Sequence, residues 1–192
     1  MPDVWYYDFT GDGYCLSDLR GLLSRERYEY CYGMKSKAAG LRSAYGFLLL
    51  RYALKKRYGI TEMPEYTVGE HGKPLLINFP GIFFNISHSQ NSVVCAVSDT
   101  PVGVDIQDIR HLTLNVGRKF LSGSELEKVS AITDPSALDD ELCRIWCIKE
   151  SYGKMTGKGF GEGFCSVDHD RLLEEKRVSV TRKHDFYISI CI

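Results

Sequence analysis

The sequence predicts an α+β fold of two similar, pseudo-symmetric halves, residues 1–101 and 102–192. Each half is expected to be a small antiparallel sheet packed on one long helix, with the active site in the cleft between them. Three observations predict it. Short β-branched and aromatic runs are separated by turn residues at Gly72-Lys73-Pro74, Pro80-Gly81 and Gln90-Asn91. Each half carries one stretch of sustained helical periodicity. The order of elements also repeats: a strand, a weak helix, a strong helix, then about three strands. No clear residue identity accompanies this repeat, so it is a duplication of layout only.

The elements follow in order. Val4 to Phe9 is a β-branched and aromatic run that stops at Gly11, and reads as a strand. Ser17 to Tyr32 reads as a helix weakened by Gly21. Leu41, Ala44, Tyr45, Leu48, Tyr52 and Lys55 share a helical stripe, with Gly59 placed to cap it. Strands are expected over Leu75–Asn78, Ile82–Ser87 and Ser92–Ser98, and again over Val102–Gln107 after the break at Pro101. Ser122-Gly123-Ser124-Glu125 has the form of a capping box before a helix from Glu125 to Ile132. Asp139-Asp140-Glu141 places acids in the first turn of a longer helix, which runs to Met155 and ends at Gly157. Strands near Gly163–Val167, Arg177–Val180 and Phe186–Cys191 close the chain.

Composition narrows the class. With 192 residues, 44% hydrophobic and 26% charged, the chain is an ordinary globular protein of one large or two small domains. A net charge of -1 speaks against a general nucleic-acid or membrane binder. The start lacks the features of a signal peptide, and no apolar run approaches the ~20 residues of a membrane helix. Seven cysteines with no CxxC pair read as buried free thiols, so a cytoplasmic location is expected.

Asp105 raises the chemical question. In a strand, Gly103, Asp105 and Gln107 share one face, and a carboxylate in a β-branched run needs a partner. On the longer helix, Trp146, Glu150 and Lys154 lie on one stripe. Taken alone, Glu150 and Lys154 read as an i, i+4 ion pair. Asp105 and Glu150 are also suitable Mg2+ ligands if strand and helix pack together. In Phe83–Ser89, His88 reads equally as a structural histidine or a phosphate contact.

The set GKP at 72–74, FNISHS at 84–89, GVDIQ at 103–107, WCIKESYGK at 146–154 and GKGF at 157–160, in this order, resembles the 4'-phosphopantetheinyl transferase family of the surfactin-synthetase-activating type. The family forms are GKP, FNxSH, G(I/V)D(I/V)E and WxxKE(S/A)xxK. The resemblance runs from about Lys35 to Phe160 and continues loosely to the C-terminus.

That resemblance implies transfer of the phosphopantetheine arm of coenzyme A to a serine of an apo acyl or peptidyl carrier protein, with release of adenosine 3',5'-bisphosphate. It implies that the first half contacts the nucleotide and phosphates, and that the second carries a Mg2+ site and the catalytic helix. Asp105 and Glu150 would ligate the metal, with Gln107 beside them where the family usually has glutamate. Glu150, directly or through a nearby water, would take the serine proton. Lys154 would face the phosphates. Ser87 and His88 would hold phosphate groups, Lys73 would sit near the nucleotide end, and Arg42 would bind the 3'-phosphate. Arg25 and Arg27 match poorly. Arg110, His111, Arg118 and Lys119 are candidates for the acidic carrier's contact. A chain with both halves needs no second copy, so a monomer is expected. The competing expectations are a non-catalytic coenzyme A or carrier-binding relative and an unrelated Mg2+ phosphohydrolase. Retention of Asp105, Glu150 and Lys154 speaks against the first.

Overall fold

A computed structural model of the chain describes residues 1–69, 72–159 and 164–192. It is a mixed α+β fold with small antiparallel sheets. The first three-stranded sheet has the order β1 (Asp3–Asp8), β5 (Ser92–Ser98), β4 (Phe83–His88). The second has the order β6 (Gly103–Asp108), β8 (Phe186–Cys191), β7 (Val178–Arg182). A separate hairpin pairs β2 (Tyr66–Val68) with β3 (Pro74–Leu76).

Two 22-residue helices flank the sheets, α2 (Lys37–Tyr58) and α5 (Pro135–Thr156). Both have polar N-caps, Ser36 and Asp134, whose side chains accept backbone N–H groups. Both end on a left-handed glycine, Gly59 at φ 70° and Gly157 at φ 74°.

Strand alternation sorts the core into layers. Cys95 and Val97 of β5 pack against Leu50, Ala53 and Leu54 of α2. Their neighbours Val94 and Ala96 point the other way and pack on Val104, Ile106 and Ile188 of the second sheet. On the far face of that sheet, Tyr187 meets Cys143 and Cys147 of α5, and Cys191 meets Ile148. The layers therefore run α2, first sheet, second sheet, α5.

Gly103 sets the spacing of the last two. A Cβ there would sit 2.0 Å from the Ser151 carbonyl oxygen and 2.4 Å from the Met155 nitrogen. Only glycine lets β6 lie this close to α5, and Asp105 is two residues along on the same face.

Three sequence expectations change. The helix read over Ser17–Tyr32 is a 3-10 helix, Leu16–Leu22, followed by α1 (Arg25–Tyr32). Leu23 is extended and Ser24 starts a new helix by accepting from the Arg27 nitrogen. The strand read near Gly163–Val167 begins outside the described residues, and Phe164–Ser166 is a 3-10 turn. The turn buries Phe164 against the cluster of Phe120, Leu142 and Ile145. Finally, α3 (Leu114–Gly117) and α6 (His169–Glu174) were not expected, because each is too short to show a period. The remaining helix, α4 (Gly123–Ser130), carries the expected capping box.

Candidate active site

Three elements converge on Asp105. It sits on β6 with its face toward α5 and is 4% exposed. Its Oδ1 accepts from Lys154 Nζ of α5 at 2.6 Å and from Ser87 Oγ of β4 at 2.7 Å. Lys154 also donates to Ser87 Oγ at 2.8 Å. Asn85, two residues before Ser87, accepts the Val104 nitrogen at 2.9 Å. One short strand, β4, thus holds β6 at Val104 and at Asp105.

The second carboxylate oxygen, Oδ2, is buried and no nitrogen or oxygen donor reaches it; the weak Cys147 thiol is the further side-chain donor beside this carboxylate. An under-satisfied buried carboxylate oxygen is costly, and it is the feature a cation would satisfy. Glu150, one turn before Lys154, is half-buried. Burial and the negative charge of Asp105 raise its pKa, against the opposing pull of Lys154. Glu150 makes no hydrogen bond or salt bridge among the described residues. Two carboxylates close enough for the charge of Asp105 to raise the Glu150 pKa, one of them with an under-satisfied buried oxygen, suit a divalent cation held by oxygen ligands.

Gln107 lies on the same face of β6 as Asp105. Its Nε2 donates to the Asp108 carbonyl at 2.8 Å, which leaves the amide oxygen as its open ligand atom.

At the Gln107 end of β6 lies a cleft of about 680 Å³ whose walls include Asp8, Arg42, His88, Gln107, Asp108 and Arg110; Asp105, Glu150 and Lys154 are not among those walls. Arg42 comes from the first turns of α2 and His88 from the end of β4. Desolvation in the cleft, with the positive charges of Arg42 and Lys154, pushes the His88 pKa down. The shift favours the neutral imidazole, which donates one hydrogen bond and accepts another.

Not every sequence candidate arrives here. Lys73 Nζ donates to the Met155 carbonyl at 2.7 Å, at the end of α5, and desolvation lowers its pKa. It clamps the β2–β3 hairpin to the helix that carries Glu150, and is not among the cleft walls. Arg27 is held inside the first half by the Ser43 carbonyl, Ser43 Oγ and the Tyr66 hydroxyl, and stacks over Phe47. Arg25 is an exposed partner of Glu29. Arg110 stands in the cleft wall, whereas His111 pairs with Asp139 outside it.

One cluster escaped the sequence reading. Lys149 and Glu125 form an ion pair at 2.6 Å with both side chains 0% exposed. Glu125 also accepts from the Ser122 and His169 backbone nitrogens and from His169 Nδ1. Burial raises the Glu125 pKa, but the hydrogen bonds from His169 and Lys149 outweigh it and hold it at about 2. Lys149 further donates to the Phe120 carbonyl at 2.7 Å. Glu125, Asp168 and His169 are close enough together for a metal. Both Glu125 oxygens are already taken, one of them by an ammonium, so this is a structural network. It pins α5 to α4 and α6 on the side away from Asp105. The capping box was legible, but nothing in the spacing of Glu125 and Lys149 signals their contact.

The chain is similar to known proteins over most of its length. A family profile described as "4'-phosphopantetheinyl transferase superfamily" matches residues 101–191. A 4'-phosphopantetheinyl transferase of Bacillus subtilis is 35% identical over 159 residues, 82% of this chain and 70% of the relative. The 4'-phosphopantetheinyl transferase Sfp of Bacillus subtilis strain 168 is 31% identical over the same shares of the two chains. The transferase gsp of Aneurinibacillus migulanus is 33% identical over 149 residues, 77% of this chain and 62% of the relative.

Proposed function

Since this chain belongs to the 4'-phosphopantetheinyl transferase family, we propose that it moves the phosphopantetheine arm of coenzyme A onto a serine of an apo carrier protein, using the Asp105–Glu150–Lys154 cluster. The observation that carries the assignment to these residues is the Asp105–Lys154 contact, with Glu150 one turn away and an under-satisfied Asp105 oxygen between helix and strand.

In this reading the two halves, residues 1–101 and 102–192, are pseudo-symmetric and share the coenzyme A site. The layered order of α2, two sheets and α5 supports it. Arg42 takes a phosphate with its planar guanidinium, and neutral His88 donates to a phosphate oxygen. Asp105, Glu150 and the Gln107 amide oxygen hold Mg2+, which when bound offsets the charge of the pyrophosphate.

The chain's own groups do the rest. Lys154 has three donors, of which Ser87 and Asp105 take two. The third faces the phosphates and stabilises the charge that builds as the bond breaks. Ser87, fixed between Lys154 and Asp105, keeps that ammonium aimed. Glu150, with its raised pKa, accepts the proton of the carrier serine. The serine oxygen forms a bond to the phosphorus at the pantetheine end of the pyrophosphate. The bond from that phosphorus to the oxygen bridging the two phosphates breaks, and adenosine 3',5'-bisphosphate leaves with that electron pair. Lys73 serves here by fixing the end of α5, and Arg110 extends the cleft wall toward the acidic carrier.

The test is to incubate the protein with coenzyme A, Mg2+ and an apo carrier, and to weigh the carrier by mass spectrometry. A gain of one phosphopantetheine supports the transferase. Bound coenzyme A with no gain across several carriers supports a binding relative, and coenzyme A cleavage without carrier modification supports a hydrolase.

A further inference from the structure

We propose that a groove along the free edge of β1 docks an extended, acidic and apolar peptide segment of a partner protein. The groove holds about 660 Å³ and lies between β1, the 3-10 helix at Leu16–Leu22 and the face of α2 that carries Tyr45 and Tyr52.

Its geometry is that of a strand slot. Trp5, Tyr6 and Tyr7 are consecutive in β1 and all line it. Side chains alternate along a strand, so three consecutive residues reach one groove only at the strand's edge. β1 is the outermost strand of its sheet, with β5 on its other side. Among the described residues, no main-chain hydrogen bond satisfies the outer edge of Val4–Tyr7. An added strand supplies those bonds, and the groove walls read its side chains.

Its lining is built for contact. Tyr6, Tyr7, Tyr14, Leu22 and Tyr52 are between 40% and 57% exposed. Tyrosine and tryptophan are the side chains that interfaces enrich, and a contiguous patch of this kind on a globular domain marks an interaction site.

Charge sets the occupant. Lys55 and Lys56 follow Tyr52 by one turn on the same stripe of α2, and both are exposed. Lys56 lies over the Tyr52 ring at 5.5 Å. The acids Asp12 and Asp18 stand at the opposite end and keep their negative charge while accepting from the Tyr7 hydroxyl and the Cys15 nitrogen. The groove is therefore polarised, negative at Asp18 and positive at the Tyr52 end, and the segment places its acidic residues at the Tyr52 end. A second copy of this chain fits poorly. Antiparallel β1–β1 pairing would set Asp3 of each chain opposite Asp8 of the other.

Trp5 lines the groove and reports its occupancy. The experiment titrates the full chain with two six-residue probes of alternating valine and threonine, one closed by two glutamates and the other by two lysines. The Trp5→Phe protein, which keeps Trp146, gives the background. The glutamate probe is expected to change Trp5 fluorescence and to bind about fivefold tighter than the lysine probe. In the Lys55→Glu, Lys56→Glu protein that preference inverts. The proposal is overturned if neither probe perturbs Trp5, or if both bind alike and charge reversal changes nothing. It is also overturned if sedimentation shows a dimer that the Tyr6→Lys substitution dissolves. No outcome depends on the transferase reaction.

Discussion

Lys154 Nζ lies 2.6 Å from Asp105 Oδ1, so a helix and a strand that are forty-nine residues apart in sequence share one charged contact. The same ammonium reaches Ser87, which adds β4 to the junction. Replacing Lys154 by methionine keeps its stem and removes the donor. The expected loss is about 10²- to 10³-fold in kcat, with a smaller change in the KM for coenzyme A. Steady-state kinetics check it, and an unchanged kcat would place the phosphates elsewhere.

Glu150 gives a pH prediction. Burial and Asp105 raise its pKa, and the base form is the one that accepts the serine proton. In the metal-free protein Glu150 should therefore titrate above the range of an ordinary carboxylate, and added Mg2+ should bring it down, which NMR titration of the side-chain carboxyl checks. In metal-free Asp105→Asn one of the raising charges is gone, so Glu150 should titrate lower than in the wild-type chain. A Glu150 titration that stays in place in that variant contradicts the coupling.

Gln107 presents an amide oxygen where the family usually has a carboxylate. Gln107→Glu adds a full negative charge beside Asp105, and should lower the Mg2+ concentration needed for half-maximal rate several-fold. Direct titration with Mn2+ should show the same gain. No change in either measurement removes Gln107 from the metal site.

The Glu125–Lys149 pair predicts acid sensitivity. The folded Glu125 value of about 2 lies below its ordinary 4.5, so its stabilisation is complete above about pH 4.5 and is lost as pH falls through about 2. Glu125→Gln leaves Lys149 buried without a counter-charge, and should cost about 3–5 kcal/mol at pH 7 by denaturant melts. The deficit should shrink in acid. A constant deficit from pH 7 to pH 3 would mean that the pair carries little of the stability.

Gly103→Ala tests the helix–strand spacing. The added methyl meets backbone on α5, which cannot rotate away. A stability loss of about 1–3 kcal/mol is expected, together with a fall in kcat as Asp105 moves off Lys154. A stable, fully active variant would show that this spacing does not position the site.

The sequence was most legible where chemistry and periodicity coincide. Alternation along Val102–Gln107 placed Asp105 and Gln107 on one face, and the Trp146–Glu150–Lys154 stripe gave the facing helix. Strand β8 occurs over the residues expected for it. What stayed hidden is long-range or local in ways that spacing does not record. Extended Leu23 ends one helix and Ser24 starts another by a single side-chain bond, inside a stretch whose composition reads as continuous. Lys73 was expected near the nucleotide end, but its partner is a carbonyl at the end of a helix eighty-two residues away. Nothing in the spacing singled out Lys149, which is fully buried against Glu125.

The central claim is that Asp105 and Glu150 share one divalent cation. Titrating the protein with Mn2+ in the presence of coenzyme A, followed by electron paramagnetic resonance, tests it most directly. The account predicts one tight site in the wild-type chain, and at least about tenfold weaker binding in both Asp105→Asn and Glu150→Gln. Wild-type affinity in either variant would contradict it.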